Sequence, residues 1–141
     1  MQFEIKFKND LDFGLQSENN NIDTIQKYFN CSLVKTGQYN EFDYVDKDKK
    51  ILIELKTRKN TLNTYPTTMI GYNKILKAID KKIEGYTIYF CFQFTDCLCY
   101  FIFEKESNEW QSIGGRKDRG CNEFKHYYYI PVNNLKTITN I

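Results

Sequence analysis

The chain is 141 residues long, 41% hydrophobic and 16% aromatic, with 11 Tyr and 11 Phe. That is ample material for one packed core and excludes a disordered tail or low-complexity linker, so a single domain over residues 1–141 is expected. The 20 Lys and Arg against 18 Asp and Glu leave a net charge of only +2, which does not by itself announce a nucleic-acid binder. No run approaches the roughly 18 apolar residues of a membrane span, and the opening MQFEIKFKND carries no signal-peptide apolar region. The expectation is an intracellular, non-secreted protein without membrane association.

In chain order, Phe3, Ile5 and Phe7 alternate with Gln2, Glu4 and Lys6, the period of a half-buried strand. Residues 17–21 are helix-capping types and lead into IDTIQKYF, where Ile22, Ile25 and Phe29 define a buried stripe. Short β-prone runs follow: SLVKT, FDYVD and ILIELK. From Thr67 to Glu84 the pattern predicts a helix with Met69, Tyr72, Leu76, Ile79 and Ile83 facing the core. Pro66 precedes it, Thr67 or Thr68 caps it, and Gly85 ends it.

YTIYFCFQF and CLCYFIF, apolar on both faces, read as a central hairpin around Thr95-Asp96. The stretch from Glu104 to Lys125 reads as loop, and HYYYIPV as a last strand placed at an edge by Pro131. The fold class expected is α+β, a central mixed β-sheet flanked by α-helices. Five cysteines (Cys31, Cys91, Cys97, Cys99, Cys121) form no CxxC and have only His126 for company, so they read as reduced, mostly buried thiols.

Polar residues that break the apolar pattern are the informative ones. In ILIELK, Leu52, Glu54 and Lys56 share one face, which sets a carboxylate beside an amine in a core-like strand. Asp43 lies between Phe42 and Tyr44 in the preceding strand. A two-residue loop between the strands would put Asp43 diagonal to Glu54, and a four-residue loop directly opposite it. Counting back from Ile22, Glu18 falls on the buried stripe of the first helix, either as an acid at the helix start or aimed into the same patch. Carboxylates held together repel and need a compensating cation. Mg²⁺ prefers oxygen ligands, and a neighbouring lysine can orient an attacking water or offset charge on a phosphate. The chemistry this patch suits is metal-assisted phosphodiester hydrolysis.

Asp43, then ten residues, then Glu54-Leu55-Lys56 in hydrophobic strands resembles the PD-(D/E)XK nuclease superfamily, which includes restriction endonucleases and Holliday junction resolvases. The resemblance runs from about Glu18 to Phe94 and includes the order helix, three strands, helix, strand; Phe42 stands where the motif's Pro would be. It implies a restriction endonuclease-like core, with Asp43 and Glu54 binding the metal. By the same resemblance the Leu55 carbonyl adds a ligand, Lys56 is the catalytic lysine, and Glu18 is the acid of the first helix. The cofactor implied is Mg²⁺, with Mn²⁺ as substitute.

The bland alternative for Asp43, Glu54 and Lys56 is a cross-strand ion pair on an open sheet face. Asp46 and Asp48 read as turn residues. Lys74, Lys77 and Lys81 form a basic stripe that is either a solvated face or a contact for DNA phosphates, with Lys74 also placed to support the active site from its helix. Arg116, Lys117, Arg119 and Lys125, beside glycines, read as a phosphate-binding loop or a hairpin tip, without the spacing of a nucleotide-binding loop. Trp110 and residues 127–129 can stack on bases or fill a sheet or dimer interface. The leading expectation is a small, structure-selective DNA endonuclease, homodimeric if it cuts both strands of a junction. The competing ones are a non-catalytic nucleic-acid-binding or assembly domain of the same fold, and an RNA nuclease.

Overall fold

Alternating runs become the strands of a six-stranded sheet: β1 (Val34–Lys35), β2 (Tyr44–Asp46), β3 (Ile51–Thr57), β5 (Thr87–Gln93), β6 (Cys97–Phe103) and β9 (Lys136–Asn140). Their order is β1-β2-β3-β5-β6-β9. Only β3 and β5 run parallel; the other neighbours are antiparallel. The computed structural model describes residues 20–37, 41–104, 111–116 and 123–141, with 111–116 and 123–126 described by backbone alone. The expected strand at Phe3, Ile5 and Phe7, the helix-capping residues up to Asn19, and Glu18 lie outside the described residues.

Residues 20–29 are helical (α1) and lay Ile22 and Ile25 on one face of the sheet, against Tyr44, Ile51, Ile53, Cys91, Leu98 and Tyr100. Phe29 joins them, stacked on Tyr89 with ring centroids 4.0 Å apart. Helix α2 (Tyr72–Ile83) covers the other face, where Leu52, Ile88, Phe90 and Phe92 meet Ile75 and Ala78. A parallel pair needs a crossover connection, and α2 lies within the one that joins β3 to β5. Both faces are therefore covered, as the two-sided apolar character of β5 and β6 requires.

Four expectations are corrected. Residues Thr67–Gly71 are a strand, β4, so the second helix starts at Tyr72 with Gly71 as its N-cap. Thr68 and Ile70 are buried while Thr67, Met69 and Gly71 are half-buried, a period of two that a helical reading of Met69 and Tyr72 overlooks. The face of α2 turned inward is Ile75 and Ala78, with Tyr72 and Ile79 beside them; Leu76 and Ile83 are exposed. The stretch after Glu104 contains a strand, β7 (Gln111–Arg116), despite Gly114 and Gly115. Finally, β8 (Glu123–Pro131) is the middle strand of a second sheet, β4-β8-β7, not an edge. Pro131 is tolerated because it is the strand's last residue, opposite Thr67. Tyr128 and Ile130 from β8 are fully buried and join Ile70 and Ile75 in the core under α2.

The end of α2 follows the sequence reading. Gly85 adopts φ 96, its N–H bonds the Lys82 carbonyl, and the Tyr86 N–H reaches back to the Lys81 carbonyl. That pair of bonds is a Schellman C-cap, for which glycine is the residue of least strain. Cys91, Cys97 and Cys99 are buried free thiols and Cys31 is half-buried and free, as expected.

Candidate active site

The turn between β2 and β3 is Lys47-Asp48-Lys49-Lys50, four residues, and the register is Tyr44 with Ile53, Val45 with Leu52 and Asp46 with Ile51. Carried one step further, that register sets Asp43 opposite Glu54. Asp46 acts as the turn's anchor, as expected. One carboxylate oxygen accepts the Lys49 N–H at 3.0 Å and the other the Ser32 N–H at 2.9 Å, and these bonds hold its pKa below the usual range.

Asp43 sits just before β2 and is held on both sides. Its N–H donates to the Ile53 carbonyl at 3.0 Å, and its carbonyl accepts the Thr36 N–H at 2.9 Å. Its side chain does something the register did not foretell. Oδ2 accepts the Leu55 N–H at 2.9 Å, so a carboxylate continues the ladder where β2's backbone no longer does. That bond fixes the rotamer of Asp43 toward β3 and holds Leu55 between the two acids.

Glu54 is buried, with 3% of its side chain exposed. Lys56 Nζ approaches Oε1 at 3.3 Å from the same strand face, and Lys74 Nζ approaches Oε2 at 3.8 Å from α2. The second distance is an ion pair without a hydrogen bond, and Oε2 is a buried acceptor with no hydrogen-bond partner. Burial raises the Glu54 pKa most, the charge of Asp43 raises it further, and Lys74 and Lys56 pull it back. Two carboxylates and two ammonium groups therefore meet on the side of the sheet that faces α2. The open-face ion pair is not what this geometry holds, because Glu54 is enclosed.

The other lysines of the stripe are engaged within the protein. Lys77 pairs with Glu41 at 3.0 Å, and Lys81 with Glu84 at 3.2 Å while lying 5.9 Å over the Tyr86 ring. Two residues escaped the sequence reading. Glu41 is the acid that Lys77 holds, and its position two residues before Asp43 was the available signal. Arg58 continues the face of Glu54 and Lys56, but its guanidinium is half-buried, donates to the Met69 carbonyl and lies over Phe92. Lys117 and Arg119 fall outside the described residues. Arg116 ends β7 and Lys125 pairs with Gly114, both described by backbone alone, so the expected phosphate-binding loop stays an expectation. A cavity of about 1050 Å³ lies along β2, with Glu41, Phe42, Val45, Leu52 and Lys81 among its lining; Asp43, Glu54, Lys56 and Lys74 do not line it.

A family model described as "Phage putative PDDEXK endonuclease" matches residues 9–138. The chain belongs to this PD-(D/E)XK family. Searches of curated proteins and of solved structures returned no match. The mixed six-stranded sheet with its two helices is the restriction endonuclease-like core of this superfamily. Membership supports nuclease activity at the level of reaction class. PD-(D/E)XK nucleases typically use divalent metal ions, and the donor set fits one. Among the described residues no group of three or more His, Cys, Asp or Glu gathers at one point, so Asp43 and Glu54 stand as a carboxylate pair. Mg²⁺ is commonly bound through one or two carboxylates, with water and substrate phosphate completing its octahedron. The unpartnered, buried Oε2 is the atom such an ion would satisfy. No helix among the described residues is long and apolar enough to cross a membrane.

Proposed function

We propose that the chain is an endonuclease that hydrolyses phosphodiester bonds in DNA with Mg²⁺, or Mn²⁺ in its place, and that it selects DNA structure over base sequence. The observation that carries this reading is Glu54 Oε2, buried without a hydrogen bond on the strand face it shares with Lys56, opposite Asp43. A protein interior does not keep an orphan carboxylate oxygen without cost, and a bound divalent ion removes that cost.

In this reading Asp43 and Glu54 hold the ion, the Leu55 carbonyl adds an oxygen, and the ion supplies Lewis-acid stabilisation of the phosphate. Lys56, 39% exposed and paired at its tip with Oε1, turns toward substrate in this reading. There it orients the attacking water and offsets the charge growing on the phosphate oxygens. By the family resemblance Glu18 is proposed as a further acid of the site. Little of the chain remains for base readout, which favours recognition of a branch or a nickable distortion. Symmetric cutting of two strands then calls for a homodimer.

The test is a cleavage panel of duplex, flap, four-way junction and single-stranded DNA, with matching RNA, in Mg²⁺ and in Mn²⁺. Wild type cuts at least one branched substrate, and Glu54→Gln and Lys56→Ala each slow the cut by about 100-fold or more. Equal rates in wild type and both variants overturn the assignment. A second reading has one observation in its favour: Lys56 and Lys74 already neutralise Glu54 from two sides. A non-catalytic nucleic-acid-binding domain can keep such a cluster for structure alone. It is the outcome if junction DNA is bound and nothing is cut under any metal.

A further inference from the structure

Lys74 stands in the first turn of α2, and three contacts converge on its ammonium group. Nζ lies 3.8 Å from Glu54 Oε2, donates to the Glu41 carbonyl, and sits 5.8 Å from the centroid of the Phe42 ring. The two lysines thus divide the Glu54 carboxylate. Lys56 takes Oε1 within hydrogen-bonding range, and Lys74 faces Oε2 from beyond it. Oε2 is therefore balanced by charge but bonded by nothing. A divalent ion would approach the same oxygen to about 2.0–2.1 Å. A dication at that distance repels the ammonium by more than Nζ gains from Oε2 at 3.8 Å, so the ion displaces Lys74 and not the reverse.

We propose that Lys74 is a placeholder cation, which neutralises Glu54 in the metal-free protein and yields Oε2 to the incoming divalent ion. This rests on the reading of Asp43 and Glu54 as the metal-binding pair. The surroundings of Lys74 suit a short, reversible retreat. Its hydrogen bond is to the Glu41 carbonyl and not to Glu54, so Nζ gives up Oε2 without losing its acceptor. Glu41 is itself anchored to α2 by Lys77 at 3.0 Å, and Nζ keeps the face of the Phe42 ring, 5.8 Å from its centroid. The greater exposure of Lys56, 39% against 27% for Lys74, leaves it to the substrate side. The pair of lysines is then a division of labour: one guards the empty carboxylate, the other meets the phosphate. Lys74 is in this account a positioning residue.

The experiment is calorimetric titration of the full chain with Ca²⁺ and with Mn²⁺ in the absence of nucleic acid. Lys74→Met keeps an unbranched side chain of similar length and removes the charge. It binds the ion more tightly than wild type, by about tenfold, the effect of removing a competing charge worth on the order of one ion pair in a partly buried site. Lys82→Met, which removes a lysine of the same helix whose Nζ donates to the Phe103 carbonyl, leaves the affinity unchanged. Equal or weaker binding by Lys74→Met overturns the placeholder role and makes Lys74 an ordinary brace. The failure of the underlying reading looks different: Glu54→Gln would bind the ion as wild type does. Should Lys74→Met not fold, the wild-type protein decides alone. The ¹⁵N resonance of Lys74 Nζ, assigned by its loss in Lys74→Arg, shifts as Ca²⁺ is added, and a signal that stays fixed through saturation overturns the proposal.

Discussion

Glu54→Gln removes a charge from a side chain only 3% exposed and keeps its shape, and the metal-free protein should become more stable for it. An acceptor buried without a hydrogen bond costs about 1–3 kcal/mol, and more when it is charged. Against that, the variant loses the 3.3 Å pair with Lys56, whose exposure limits it to under about 1 kcal/mol, and the longer pair with Lys74. The net gain is about 1–2 kcal/mol, or about 3–6 °C in Tm for a chain of this size. The pH dependence has a definite sign. Glu54 is an acid whose folded pKa is raised by burial and by Asp43, so its proton favours the folded state. Wild type loses that stability as pH rises from the ordinary carboxylate range to the raised value, and stays at the lower level above it. Thermal melts in a chelating buffer from pH 4 to pH 8 should show Glu54→Gln and wild type converging at the acid end and separating toward neutral pH. Mg²⁺ then stabilises wild type by about 2.7 kcal/mol at 100 times its Kd, which more than closes the gap, and leaves the variant unmoved. A Glu54→Gln protein that melts below wild type at pH 8 without metal, or a gap that ignores pH, would refute the argument that Oε2 is a buried acceptor left without a hydrogen bond.

The inward face of α2 is tested by neighbours: Ile75→Ala costs about 2–5 kcal/mol in chemical denaturation, whereas Leu76→Ala stays within about 0.5 kcal/mol. Gly85→Ala forces φ 96 on a residue with a Cβ and lowers stability by about 1–2 kcal/mol in the same assay, although the space beside it is open to a methyl group. Asp46→Ala leaves the Lys49 and Ser32 N–H groups without their acceptor and lowers Tm. Because the Asp46 pKa is lowered in the fold, the deficit of the variant is largest above the ordinary aspartate range. It vanishes as pH falls through the lowered value, which a pH series of melts reads directly.

Much of the candidate site was legible in the chain because strand periodicity is local. Glu54 and Lys56 share a face by alternation alone, and a four-residue turn was one of two registers that bring Asp43 to them. What alternation leaves open is which way that face points and what covers it. The bond from the Leu55 N–H to Asp43 Oδ2, and the approach of Lys74 to Oε2, both join elements that are distant in sequence. Lys74 carried a weak hint, a lysine on the helix next in line, while Glu41 was passed over because its one signal, a place two residues before Asp43, does not separate it from an ordinary loop acid.

Composition and patterning by themselves determined a mixed sheet with helices, the free and buried thiols of Cys91, Cys97 and Cys99, a helix ended at Gly85, and an acid–acid–lysine patch in apolar strands. The tertiary structure alone decided that Thr67–Gly71 is a strand, that β8 is central in a second sheet, and that Ile75 rather than Leu76 is inside. The reason is common to all three. β4 exists because β8 pairs with it from some 60 residues away, and α2 turns the face that fits Tyr128, Ile130 and Phe90. Hydrogen-bond partners and packing partners that far along the chain leave no periodic trace at the site they act on. The same holds for Glu54: its position on the strand face was written locally, but its burial beneath α2, and with it the unpartnered Oε2, came only from the packing of the whole.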